Sequence, residues 1–264
     1  MHCGAWREAG ASRAPSVIVP RWPVPANVRA LVTTRSGGVS SGPYASLNLG
    51  GVRRNGGGDD PASVARNRAI VREGLPSDVV WLQQVHGVAV ADLDSAAGET
   101  VADAAIARGA NTVCAVLVAD CMPVLLADGA GTVVGAAHAG WRGLSAGVIE
   151  STIAAMGSAP GQLIAYLGPC IGPAVYEVGS DVRDAFCAAD ANAGTAFVAK
   201  PKTAATIDKW LANLPMLARQ RLARAGVERI FGGDDCTFSD STRFFSYRRD
   251  GVTGNMAALI WREA

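Results

Sequence analysis

Three side chains combine reactive chemistry with a position at the end of an apolar run. They are His86 in Gln84-Val85-His86-Gly87, Cys121 in Ala119-Asp120-Cys121-Met122-Pro123, and His138 in Ala137-His138-Ala139-Gly140-Trp141. Imidazole nitrogen and thiolate sulfur are donors that Zn²⁺ accepts, and a catalytic zinc keeps three protein ligands with one position open. No short ligand spacing links the three residues, so other readings stand beside the metal. Cys121 and His138 also suit a nucleophilic dyad, because a thiol beside an imidazole is drawn to its thiolate, and Asp120 is placed to orient the ring. For either histidine alone, a ring satisfied by hydrogen bonds inside the core is the plainer reading.

Other polar groups carry less. Arg248 and Arg249 stand beside Phe244, Phe245 and Tyr247 in a glycine-bounded segment, where a planar guanidinium can hold phosphate or stack on a base. Arg35 lies in the turn-rich stretch 33–50, which reads as a surface loop or a ligand loop. Cys114 sits within an apolar run and behaves as a small hydrophobe, whereas Cys170 and Cys236 are loop thiols able to line a pocket. Neither a Walker-type loop nor a G-x-G-x-x-G between strand and helix is present.

The elements that position these groups follow from periodicity. Two apolar runs and a third after the Asp128–Gly131 turn predict buried strands between Val113 and Gly143. Further strands are expected at Val17–Val19, Val28–Thr33, Val79–Leu82, Val88–Leu93, Leu163–Leu167, Val227–Phe231 and Ala257–Trp261. Helices are expected after Asp59-Asp60-Pro61 up to Gly74, over Leu144–Met156, and after a Ser180 cap with Val182 and Phe186 inward. The clearest helix by spacing is Ile207–Ala225, with Pro215 a kink or a break. Residues 1–15 are aperiodic and read as a tail, which demotes His2 and Cys3, and Arg53–Gly58 is a basic glycine-rich insert. Strand and helix signals interleave, yet the middle is hairpin-like. The expected fold is therefore α/β (mixed), a single domain over 16–264 of mixed β-sheets flanked by helices.

Composition bounds the function. The 264 residues are 49% hydrophobic with a formal net charge of +1, enough for a large core and no global attraction to nucleic acid or an anionic membrane. No apolar run is long enough to span a bilayer and no secretory leader is evident, so the reading is cytoplasmic. Six scattered cysteines in such a chain read as free thiols rather than a disulfide framework.

Six segments taken together carry a resemblance. They are Thr34-Arg35-Ser-Gly-Gly-Val-Ser40 through Ser46-Leu-Asn48-Leu-Gly50, Gln84-Val-His86-Gly87, Ala119-Asp-Cys121-Met-Pro-Val-Leu-Leu126, His138-Ala-Gly-Trp-Arg-Gly143, Leu167-Gly-Pro-Cys-Ile-Gly172 with Tyr176-Glu-Val-Gly179, and Phe245-Ser-Tyr-Arg-Arg-Asp-Gly251. In this order, over about Val28 to Trp261, the chain resembles the YfiH/YlmD family, also called laccase-domain or multicopper polyphenol oxidase proteins and now purine nucleoside phosphorylases. The resemblance implies a zinc triad of His86, Cys121 and His138, with Arg35, Asn48 and the Arg248 region shaping the substrate pocket. It implies phosphorolysis of adenosine, inosine, guanosine and methylthioadenosine, with adenosine deamination beside it. Related proteins are also connected with peptidoglycan editing, so a Cys121-dependent hydrolase is the enzymatic alternative, and copper-dependent phenol oxidation ranks below both. A partner-binding module with a vestigial site is the non-enzymatic alternative. The chain departs from the family where a histidine usually follows Leu49-Gly50, here Gly51-Val52-Arg53-Arg54, and where an arginine often follows Thr253-Gly254, here Asn255.

Overall fold

Met122–Asp128 is the central strand because its alternate side chains serve two different cores. Val124 and Leu126 face helices, while Leu125 and Ala127 face a second sheet. The computed structural model describes residues 15–51, 58–95, 100–201 and 208–264. The expected tail, Pro15 apart, and the basic insert, Gly58 apart, lie outside the described residues.

The central strand belongs to a six-stranded sheet in the order Arg229–Gly232, Leu163–Leu167, Met122–Asp128, Val134–Ala139, Ala104–Ala107, Val90–Asp92. Its two end pairs are parallel and the inner pairs antiparallel, so the sheet is mixed. A four-stranded antiparallel sheet, Val17–Ile18, Val28–Thr33, Met256–Arg262 and Cys114–Val118, packs on one face. Val32, Val116, Ala258 and Ile260 meet Leu125 and Ala136 there. On the opposite face, Ile149 and Ile153 of helix Val148–Met156 and Leu217 and Leu222 of helix Leu214–Arg224 pack on Val124, Leu126 and Ala137. Helix Pro61–Arg72 closes the outer side of the four-stranded sheet through Val71 against Leu31, Leu47 and Leu259. The result is a mixed α/β single domain with helices outside two stacked sheets. A third, small antiparallel sheet joins Phe197–Ala199, Lys209–Ala212 and Glu177–Gly179.

Several elements differ from expectation. Within the span expected as one helix over Ile207–Ala225, Lys209–Ala212 is a strand and the helix begins only at Leu214. Asn213 caps that helix by accepting from Met216 N, and Pro215 occupies its first turn, where a missing N–H costs nothing; Ile207 lies outside the described residues. The helix expected over Leu144–Met156 is two helices, Trp141–Ala146 and Val148–Met156, divided at Gly147, whose φ of 107° only glycine adopts readily. Val79–Leu82 forms no strand; Val79 and, just beyond, Gln83 make isolated bridges to Val113 and Val101. Ser180 is the first helical residue, and the cap position is taken by an extended Gly179.

Candidate functional site

Strand register brings the reactive residues together. Pro123 lies opposite His138 and Met122 opposite Ala139, which sets Cys121 beside Gly140 at the open end of the hairpin. On the other side of His138, Ala104 pairs with Ala137, so Asp103 becomes the cross-strand neighbour of His138 and its carbonyl accepts from His138 N at 2.7 Å.

Asp103 is fully buried and organises the centre. Its carboxylate accepts from the backbone N–H groups of Val85, His86 and Gly87 at 3.1, 2.8 and 2.6 Å, a run of donors converging on one anion. It also pairs with His138 Nδ1 at 2.9 Å, which turns the Nε2 edge of that ring toward the cavity. The loop carrying His86 is thereby tied to the strand carrying His138. His86 itself has φ of 61°, the left-handed conformation that aims three successive N–H groups to one side.

His86 Nε2 stands 3.7 Å from Cys121 Sγ, and the two imidazole rings meet edge to face with centroids 4.7 Å apart. One donor atom from each of His86, Cys121 and His138 lies within 4.8 Å of the others. Donor set and spacing fit a single soft or borderline cation with a position left open. Burial pushes the Cys121 thiol up, but the neighbouring His138 and His86 imidazoles outweigh it and bring it down to about 6. Burial lowers His138, while the Cys121 thiolate and the Asp103 carboxylate raise it to about 9. The same coupling gives a thiolate beside a protonated His138, so a metal taken up at neutral pH would displace a proton from that ring.

Asp120 does not orient the histidine. With φ of 87° its carboxylate turns the other way, accepting from Thr237 Oγ1 and from Arg248 N, each at 2.6 Å. It ties the segment 237–248 to the Cys121 turn.

Gly140 is sterically required. A Cβ there would stand 2.7 Å from Cys121 Sγ and 3.0 Å from His86 Cδ2. Its φ of −67° suits any residue, so the obstruction is purely these two side chains. Gly140→Ala is expected to fold and to hold a metal offered to this site, zinc as the probe, about tenfold or more weakly, the scale of displaced ligand support. Chelator competition measures this, and a zinc affinity equal to the parent's would refute the packing account.

The three residues open onto a cavity of about 820 Å³ whose described lining also includes Trp81, Gln84, Arg68, Tyr247, Asn255 and Gly50–Gly51. Gln84 mimics a strand partner, donating to Leu117 O at 2.9 Å and accepting from Leu117 N at 2.7 Å, which holds the His86 loop against the Cys114–Val118 strand.

Arg35, Asn48 and Arg248 are not among the described lining residues. Arg35 donates to Ala45 O and Ser241 O and covers the Phe245 ring. Asn48 is buried, accepting from Gly50 N and Asn255 N at 2.9 and 2.8 Å, so it braces two residues that do line the cavity. Arg248 donates to Glu177 O and lies over Tyr176. Cys170 and Cys236 bridge each other's segments away from the cavity lining. Asp103 and Arg68 are site residues that no sequence motif marks. Asp103 precedes an apolar strand, as Cys121 does, and Arg68 shares the inward helix face of Val64 and Val71.

The model of the family described as multi-copper polyphenol oxidoreductase laccase matches residues 29–263. The chain is 51% identical over 251 residues to the purine nucleoside phosphorylase YfiH of Escherichia coli (strain K12), covering 93% of this chain and 98% of that one. It is 48% identical to a purine nucleoside phosphorylase of Pseudomonas aeruginosa, over 92% of this chain and 97% of the relative. The crystal structure of Neisseria meningitidis protein NMB0706 superposes with a TM-score of 0.86 at 49% identity, covering 94% of this chain and 99% of that one.

Proposed function

The chain belongs to the multi-copper polyphenol oxidoreductase laccase family, and from that membership we propose that it is a zinc-dependent purine nucleoside phosphorylase. Adenosine, inosine, guanosine and methylthioadenosine are its proposed nucleosides, phosphate its co-substrate, adenosine deamination its side activity and the cytoplasm its place. No helix among the described residues is long and apolar enough to cross a membrane. The observation that carries the proposal is the convergence of His86, Cys121 and His138 on a cavity of nucleoside size that is also walled by Trp81 and Tyr247. Zinc is favoured over copper by the donor set: the whole sequence has three histidines, one of them His2, too few for a multi-copper centre.

In phosphorolysis a phosphate oxygen forms a bond to the anomeric carbon of the ribose as the glycosidic C–N bond breaks. The purine leaves with the electron pair and takes up a proton, giving ribose 1-phosphate and free base. His86, Cys121 and His138 would hold the metal, which when bound supplies a Lewis-acid charge at an open coordination position. Asp103 keeps the proton of His138 on Nδ1 and the His86 loop in register. Trp81, Tyr247 and Gln84 shape the wall against which the nucleoside is oriented, and positioning supplies much of the acceleration. Arg35, Asn48 and Arg248 shape the pocket through the loops that they brace.

Incubation of the purified protein with inosine and phosphate tests the reading. Hypoxanthine and ribose 1-phosphate are expected in equal amounts, and their absence at high enzyme concentration refutes it. Activity that requires Cys121 yet survives complete metal removal would instead favour the hydrolase, for which the lowered Cys121 thiol is the supporting observation.

A further inference from the structure

Arg68 projects from helix Pro61–Arg72 into the cavity that His86, Cys121 and His138 share. Its head group is fixed on two sides. Nε and Nη2 donate to Leu49 O at 3.0 and 2.9 Å, and the guanidinium lies over the Trp81 ring at 4.5 Å. A guanidinium has five N–H donors, and that carbonyl engages only the Nε and Nη2 side. The Nη1 edge, with the second hydrogen of Nη2, keeps the fork that matches two oxygens of a phosphate.

Charge points the same way. Arg29, Arg72, Arg108, Arg221, Arg243 and Arg249 each pair with a carboxylate, whereas no carboxylate among the described residues pairs with Arg68. Half-buried, it is held below its ordinary pKa by desolvation alone and stays a cation. The described lining of the cavity contains no aspartate or glutamate and no other arginine or lysine. Gly51 leaves the wall beside the fork without a side chain, and even a Cβ there would come only to 3.9 Å from Nη2. An anion can therefore approach the fork from the Gly51 side.

We propose that Arg68, fixed by Leu49 O and Trp81 beside Gly50–Gly51, is the subsite that binds inorganic phosphate as co-substrate. The inference rests on the phosphorolysis reading and moves the phosphate contact to Arg68 from Arg35 and Arg248, which are not among the described lining residues of the cavity. A nucleoside between Arg68 and the metal centre would present its anomeric carbon to the bound phosphate.

The test is steady-state kinetics of zinc-loaded wild type, Arg68→Gln and Arg68→Lys with inosine and varied phosphate. Arg68→Gln is expected to raise the KM for phosphate about tenfold or more, the loss of charge-assisted hydrogen bonds, with a much smaller change in the KM for inosine and unchanged zinc content. Arg68→Lys, which keeps the charge and loses the fork, should fall between. An unchanged phosphate KM in Arg68→Gln, or an equal rise in both KM values, overturns the subsite. If Arg68→Gln does not fold, the Arg68→Lys values decide by the same criterion. A wild-type protein that releases no purine refutes the phosphorylase reading separately; titration calorimetry with inorganic phosphate then still decides the subsite, since equal binding to wild type and Arg68→Gln, or none to either, overturns it.

Discussion

On the proposed zinc-dependent phosphorolysis, Cys121→Ala is expected to strip the protein of metal and to lower purine release by about a thousandfold, the scale of several kcal/mol that a catalytic metal supplies. The substitution removes the only sulfur of the donor set and leaves His86 and His138 alone. Little else should change, because Cys121 is only half-buried at the cavity wall and alanine leaves no large void in the core. Elemental analysis after gel filtration reads the metal. Near-stoichiometric zinc in the parent and almost none in the variant is the expected pair, and full zinc in Cys121→Ala would eliminate the triad. Cys236→Ala is the control. That thiol accepts from Gly172 N at 3.2 Å outside the described cavity lining, so its loss should leave zinc in place. Zinc saturation should also raise the thermal stability of the parent alone, by about 3–4 kcal/mol at a few hundred times Kd.

Asp103→Asn is expected to be the more damaging change to the fold. The carboxylate accepts four hydrogen bonds from Val85, His86, Gly87 and His138, whereas an amide of the same shape has one accepting oxygen and turns its nitrogen toward donors. At about 1–3 kcal/mol for each buried donor left unpaired, a loss of about 3 kcal/mol follows, and a Tm lower by roughly 6–12 °C. Zinc affinity should fall about 10–100-fold, because the outer hydrogen bond that fixes the His138 ring is gone.

The pH dependence carries the sign. Burial pushes Asp103 up, but the hydrogen bonds from His138, Gly87 and Val85 prevail and hold it below the usual carboxylate value. A lowered folded pKa gives stability that is present above the unfolded value and is lost as pH falls through the folded one. Thermal melts of parent and variant should therefore converge below about pH 4, near the ordinary aspartate pKa. A gap that stays constant down to pH 3 would remove Asp103 from the role given to it.

The errors in the sequence reading have a common physical source. In Ile207–Ala225, leucine spacing imitated a helix, but Leu211 belongs to a strand paired with Glu177, a partner 34 positions earlier that local periodicity does not register. Pro215 carried the right signal, since a proline in a helical pattern more often opens a helix than crosses one. Gly147 likewise divided a span in which Val148, Ile149, Ile153 and Met156 kept a helical face on one side only. The arginines reversed in significance for the same reason. Arg35 and Arg248 stand in conspicuous loops yet lie outside the described cavity lining, while Arg68 reaches that lining from a helix, held by Leu49 O and Trp81.

What the sequence determined by itself is local. Continuous apolar runs bounded by turn residues specified the strands around Met122–Asp128, and polar residues at their ends marked His86, Cys121 and His138, because burial of a run and chain reversal act over a few residues. The tertiary structure decided how those ends meet. Cross-strand register set Asp103 against His138 and Gly140 against Cys121, and a buried carboxylate had to find donors. It found them in three consecutive backbone N–H groups of the His86 loop, a partnership across 16–18 residues that no spacing in the chain announces.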